Sequence, residues 1–199
     1  TFSEMIFDDL NKYRIILASR SPRRQQLLRD LGLRFDVVAR EFDESYPENL
    51  KGEEIALYLA REKARLFKNE ISDNEIVITA DTIVWCKNQV LGKPVDTSDA
   101  GRMIRELSGN SHDVITGVTI LSSSREVTFA DSTKVTFEKL SEEEITYYIG
   151  EFMPLDKAGA YGIQEWIGVA ACRRIEGSYF NVVGLPVQRL YKELKEFLR

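Results

Sequence analysis

The stretch Ser19-Arg20-Ser21-Pro22-Arg23-Arg24 constrains this chain more than any other, because it reads as the handover from a strand to a helix. Ahead of it, Tyr13–Ala18 is a short apolar run of strand character. Behind it, Leu27, Leu28 and Leu31 recur at helical spacing, and Gly32 is placed to end the helix. Ser21 suits the N-cap. Pro22 suits the first helical position, since it lacks the amide hydrogen that would be orphaned there. Two arginines in the first turn run against the helix dipole, which favours acids at its positive end. They make sense around a polyanion, where hydroxyls, cations and free amides converge on phosphate oxygens. The competing reading is a solvated basic turn.

The same alternation of periods extends along the chain. Strands are predicted over Arg34–Val38, Glu75–Ala80, Thr82–Trp85, His112–Ser122, Arg125–Glu138, Trp166–Ile175 and around Tyr179–Val183. Helices are predicted over Pro22–Leu31, Glu53–Asn69, Ser98–Ser108, Glu142–Glu151 and Pro186–Leu198, with Ser141 and Glu144 forming a capping box. Leu121–Glu126 suits the turn of a long hairpin. A βαβα opening followed mainly by strands predicts an α/β fold with a mixed twisted sheet. Residues 1–199 contain no repeat and no linker-like run, so a single domain is expected. Ala39–Lys51 is too long and polar to be a mere connection, which makes it a candidate functional loop.

Composition narrows the function. A chain of 199 residues with 43% hydrophobic residues can bury a proper core. A net charge of −5 argues against a general nucleic-acid binder, but it leaves room for a small anion met by a local cluster of cations. Cys86 and Cys172 lack metal-like spacing and are expected as reduced thiols. Thr1–Asn11 is acidic and amphipathic, unlike a signal peptide, and no apolar run is long enough for a membrane span. The cytoplasm is the expected location.

Several residues are candidates for chemistry. Asp81 directly follows the apolar run Ile76–Ala80, at the expected C-terminal end of a strand, where open α/β sheets place ligands. An acid there could activate water or hold a divalent ion, or it could be an ordinary turn carboxylate. Glu44, in the acidic loop Glu41–Glu44, could join Asp81 around Mg²⁺, or be one of a solvated run of charges. Lys63 shares a helical face with Leu59, Ala60 and Ala64, an apolar setting that suggests either a partner or snorkelling. Lys93 follows Gly92 and precedes Pro94, at a kink that could meet a phosphate. Gly159–Gln164 combines small residues with an amide able to read the edge of a planar base, and is equally compatible with a close-packed turn. His112, the single histidine, has no nucleophile-elbow serine to serve and reads as a residue at the start of a strand. Walker and Rossmann phosphate loops are absent.

Seven segments in order, ILASRSPRRQQLL, the FDES loop, LAREKA, ADTIV with LGKP, LSGNSHDVITGV, KAGAYGIQ and YFNVVGLPV, resemble the Maf family of nucleotide pyrophosphatases from about Tyr13 onward. The resemblance implies two α/β lobes around a central cleft, an architecture related to inosine triphosphate pyrophosphatases. It implies hydrolysis of a nucleoside triphosphate to the monophosphate and pyrophosphate with a divalent metal cation, Mg²⁺ or Mn²⁺. It places the general base on Asp81, the cleft glutamate on Glu44, the metal on Glu44 and Asp81, and two catalytic lysines on Lys63 and Lys93. Phosphate binding maps to Ser19 and Arg24. The specificity set of the dTTP/UTP branch maps to Arg23, Thr82 and Gln164, and all three positions agree. A 7-methyl-GTP branch carries other residues there. The implied partner is the nucleotide substrate, with no nucleic acid, no membrane and a homodimer as the family expectation. Members have also been linked to septum formation, so a regulator of division without turnover is the rival reading. Arg20 and Glu165-Trp166 depart from the small residues usual in the family.

Overall fold

The structure, a computed structural model, describes residues 9–199; the reading of Thr1–Asn11 therefore lies, for residues 1–8, outside the described residues. The chain runs β1 (Arg14–Leu17), α1 (Pro22–Asp30), β2 (Asp36–Val37), α2 (Glu53–Arg65), β3 (Glu75–Cys86), β4 (Gln89–Leu91) and α3 (Thr97–Leu107). It continues with β5 (Ser111–Leu121), β6 (Glu126–Phe137), α4 (Glu142–Phe152), a 3₁₀ turn at Ala158–Ala160, α5 (Trp166–Ala171), β7 (Cys172–Glu176), α6 (Tyr179–Val183) and α7 (Val187–Phe197). Seven strands form one mixed sheet in the order β2-β1-β3-β5-β6-β7, with β4 also paired to β3.

The cleft exists because β3 outruns its parallel neighbour. β1 pairs with β3 only as far as Leu17 opposite Ile78, whereas β3 runs on antiparallel to β5 as far as Trp85 opposite Asp113. Near its far end β3 pairs with β4 across a two-residue turn, where Lys87 and Asn88 both take positive φ. Asp81 is thus in the middle of one long strand, a correction to the two separate strands expected on either side of it. Its carboxylate nonetheless stands just past the end of β1, where the parallel part of the sheet opens.

Two apolar cores flank that point. One gathers Leu17, Leu28, Ile76, Ile78, Val118 and Ile120 against Leu190 and Leu194 of α7. The other gathers Val84, Leu91, Val135 and Phe137 against Ile104, Leu107 and Tyr148 of α3 and α4. β3 supplies both, so the lobes are two halves of one sheet. Helix α3 buries Ala100, Met103, Ile104 and Leu107, and α7 buries Val187, Leu190, Leu194 and Phe197, each a stripe at helical spacing. The capping box at Ser141 and Glu144 is present.

Helix α2 lies across β3, β5 and β6 with Ile55, Ala56 and Leu59 packed on Ile83, Ile115 and Ala130. Gly117 permits its close approach to β5. A Cβ there would stand 2.1 Å from the Ala56 carbonyl oxygen, so helix and strand touch backbone to backbone. Gly117 is the register partner of Asp81. Lys63, about two turns after Ala56, is thereby carried over the acid.

Two strand expectations are corrected. Trp166–Ala171 is a helix leading into β7, because Ile167 and Ala171 bury at i, i+4 spacing and Gly168 lets the helix sit on the Ile163 carbonyl. Tyr179–Val183 is a short helix: Ser178 caps it by accepting from the Asn181 amide at 3.3 Å, and Gly184, at φ 132°, ends it. No helix among the described residues is long and apolar enough to cross a membrane.

Candidate active site

All nine residues singled out from the sequence, scattered from Ser19 to Gln164, line one cavity of about 870 Å³ between the lobes. Its floor is Asp81, 8% exposed on β3. Lys63 Nζ donates to Asp81 Oδ1 at 2.5 Å and to Glu44 Oε1 at 3.3 Å. Lys93 Nζ donates to both oxygens of Glu44, at 2.9 and 3.0 Å. Two acids and two ammonium groups therefore form one chain across the cleft, from α2 through β3 and the 39–51 loop to the segment after β4. Burial would raise the Glu44 carboxyl, but the hydrogen bond from Lys93 and the charge of Lys63 outweigh it and hold the group below the usual carboxylate range. Phe42 packs within 5.4 Å of the Lys63 ammonium, and Arg40, stacked on Phe67 and paired with Glu70, ties the loop down.

The opposite wall is the first turn of α1. Ser21 caps the helix, accepting from the Arg24 amide at 3.4 Å. The Ser19 hydroxyl, in a residue 8% exposed, accepts from the Ser21 amide at 3.2 Å. Arg24 turns inward: Nε donates to the Gly184 carbonyl at 2.8 Å, Nη1 to the Ala80 carbonyl at 2.8 Å, and Nη2 to Thr82 Oγ1 at 2.9 Å. Burial lowers its pKa, and the negative charge of Asp81 opposes that fall. Arg24 thus locks α1 to β3 beside the acid. Thr82 is held in the same lattice, sharing a 2.9 Å hydrogen bond with Thr116. Arg23 reaches the other way, donating to Asp156 Oδ2 at 3.0 Å. Gln164 is exposed on the cleft wall, and its amide makes no hydrogen bond within the described residues.

Sequence reasoning missed two charged residues beside this wall, and noted Glu165 only as a departure from the family, with no part in the site. Asp156 and Lys157 line the cleft, and Lys157 is buried between Asp156 and Glu165. Their signal was an acid–base pair placed directly before the small-residue stretch Ala158–Gly162. His112 has no part in the cleft chemistry. It is buried, bonded through Nε2 to the Tyr161 hydroxyl at 2.7 Å, and burial pushes its pKa down to about 4.

Fold and cleft together define an α/β protein built around an acid-bearing, cation-lined groove fit for a phosphorylated ligand. The family model described as Maf-like protein matches residues 14–197. A dTTP/UTP pyrophosphatase of Phocaeicola vulgatus is 53% identical over 192 residues, covering 96% of this chain and 100% of its own length. That of Parabacteroides distasonis is 50% identical over 193 residues, covering 96% and 100%. Among solved structures, a nucleoside-triphosphatase / dITP/XTP pyrophosphatase of Mycobacterium abscessus superposes with a TM-score of 0.47 at 16% identity, covering 94% of this chain and 96% of that one. The chain belongs to the Maf family.

Proposed function

We infer that the chain is a nucleoside triphosphate pyrophosphatase acting on dTTP and UTP. The observation that carries this reading is the Lys63 ammonium held between Asp81 and Glu44 on the cleft floor, facing the N-terminus of α1. The relatives' printed activity, dTTP/UTP pyrophosphatase, supports the choice of substrate.

In this mechanism the triphosphate lies between the α1 turn and the two lysines. The Ser19–Ser21 turn and the α1 amides bind phosphate oxygens, and Arg24 adds its charge while bracing the turn. Asp81 takes a proton from water as the water oxygen bonds to the α-phosphorus. The bond from that phosphorus to the α,β-bridging oxygen breaks, and pyrophosphate leaves with the electron pair. Lys63 and Lys93 neutralise charge on the transferring and leaving groups, which is most of what phosphoryl transfer asks of a protein. Gln164, Thr82 and Arg23 read the pyrimidine, Gln164 offering both a donor and an acceptor to a carbonyl and an imide N–H.

The residues present suit a divalent cation. Glu44 and Asp81 already converge on one cation, the Lys63 ammonium, and no cluster of three metal-ligating side chains exists among the described residues. Glu44 and Asp81 would hold an Mg²⁺ or Mn²⁺ ion, a hard cation that takes carboxylate oxygens. Bound there, it would supply charge neutralisation and acidify water.

On this reading the ligand is a free nucleotide, its cations gathered in the cleft of a chain with net charge −5. The site of action is the cytoplasm, and the homodimer expected of the family is checked by sedimentation. The test is a panel of dTTP, UTP, CTP, GTP and 7-methyl-GTP with Mg²⁺ or Mn²⁺. Pyrophosphate release selective for dTTP and UTP is expected. A preference for 7-methyl-GTP would reassign the branch, and binding without turnover would favour a regulator.

A further inference from the structure

Behind the Gln164 wall runs a line of charges of which the proposed function uses only the first, Arg23. Arg23 Nη1 donates to Asp156 Oδ2 at 3.0 Å, and Lys157 Nζ donates to Asp156 Oδ1 at 2.7 Å. The same ammonium lies 3.1 Å from Glu165 Oε1, and Tyr148 donates its hydroxyl proton to Glu165 Oε2. The Gly162 amide in turn donates to the Tyr148 oxygen at 3.0 Å. Charge alternates from Arg23 to Glu165, and the line ends on the backbone two residues before Gln164.

The middle of this line is dry. The Lys157 side chain is 10% exposed and that of Glu165 19%, while Asp156 sits at the rim with 60%. A buried ammonium is costly unless carboxylates hold it, and breaking such a pair from one side leaves the other charge stranded. Asp156 therefore cannot swing without disturbing Lys157, and Arg23 keeps one partner in one place. Burial would raise the Asp156 carboxyl, yet Lys157 and Arg23 hold it below the usual range, so the rim acid stays charged. Glu165 also crowds the backbone: a Cβ on Gly162 would stand 2.8 Å from its Cδ. Glu165 thus clasps the segment that presents Gln164, with Gly162 on one side and itself on the other.

We propose that Glu165 is a positioning residue for base selection, setting Arg23 through Lys157 and Asp156 and setting Gln164 through Tyr148 and Gly162. The proposal rests on the pyrimidine reading of the cleft given above. A cleft wall held by a fully partnered network keeps its reading groups pre-oriented, which is where selectivity between bases of different shape arises.

The test uses the full chain and binding rather than turnover alone. Glu165→Gln removes the charge and keeps both shape and an acceptor for Tyr148. Asp156→Asn removes the charge and keeps the shape at the exposed rim, and would carry the test if the first variant failed to fold. Dissociation constants for dTMP and GMP are measured by calorimetry, with kcat and KM for dTTP and the unfolding midpoint alongside. Each variant should bind dTMP about tenfold more weakly while GMP moves less than about twofold, with the change in dTTP turnover carried mainly by KM. The double variant should lose no more than Glu165→Gln alone, because Asp156 lies on one of the two arms that Glu165 holds. Equal weakening of dTMP and GMP with a lowered midpoint would reduce the network to a structural ion pair and overturn the proposal. So would additive losses, or unchanged binding. Wild-type protein that binds dTMP selectively but releases no pyrophosphate would remove the hydrolase reading and leave this one standing; equal wild-type binding of dTMP and GMP would remove this one.

Discussion

Gly117→Ala tests how the cleft is set. The added Cβ would stand 2.1 Å from the Ala56 carbonyl oxygen and 2.4 Å from its carbon, against an ordinary contact of 3.4 Å or more. Both neighbours are backbone, so no rotamer change relieves the clash, and α2 must lift from β5 by about 1 Å, at a cost of about 1–3 kcal/mol. The same lift acts on Lys63, which is on α2 and hydrogen-bonded at 2.5 Å to Asp81, the register partner of Gly117. A displacement of that size takes the contact to the edge of hydrogen bonding and should lower kcat/KM by about 10²-fold. Pyrophosphate release measures the second effect and urea unfolding the first. Gly150→Ala is the control: Gly150 is exposed in the interior of α4 with nothing within 4 Å, so alanine should stabilise by about 0.5–1 kcal/mol and leave the rate alone. The reasoning is refuted if Gly117→Ala loses stability but keeps wild-type kcat/KM, since the close approach would then have no hold on Lys63.

Three further outcomes follow from the same geometry. Asp81→Asn should lower kcat by about 10²–10⁴-fold in the pyrophosphate assay, the loss typical of a removed general base. His112 should make stability depend on pH. Its folded pKa of about 4 lies below the ordinary 6.5, so the unfolded chain takes up the proton first, and stability present above pH 6.5 is lost as pH falls towards 4. The loss is about 3 kcal/mol, read as the difference between wild type and His112→Gln in urea unfolding at pH 7.5 and pH 4. Chelation of divalent cations should stop turnover and leave the unfolding midpoint unchanged, because the carboxylates that would hold the ion are already neutralised by Lys63 and Lys93.

Much of the architecture was legible because its signals are local. The Ser21-Pro22 start, the Ser141–Glu144 box and the apolar stripes of α3 and α7 each appear in a short window of sequence, and each is found in the structure. Trp166–Ala171 and Tyr179–Val183 were misread as strands because their β-branched and aromatic residues outweighed weaker signs, the i, i+4 spacing of Ile167 and Ala171 and the Ser178 and Gly184 caps. The continuity of β3 through Asp81 was hidden for another reason. A buried acid in mid-strand looks like a break until its long-range partner, Lys63, is known. The cleft residues could be singled out one at a time, but their convergence comes from the crossing of α2 over Gly117. The Asp156–Lys157–Glu165 line went unseen because burial turns ordinary charged residues into a network, and burial is not written in one window.

The account stands or falls on where water attacks. With dTTP hydrolysed in ¹⁸O-enriched water, the attack at the α-phosphorus inferred from Asp81 and its lysines places one ¹⁸O in dTMP and leaves the released pyrophosphate unlabelled. Label in pyrophosphate, or release of orthophosphate, would contradict it.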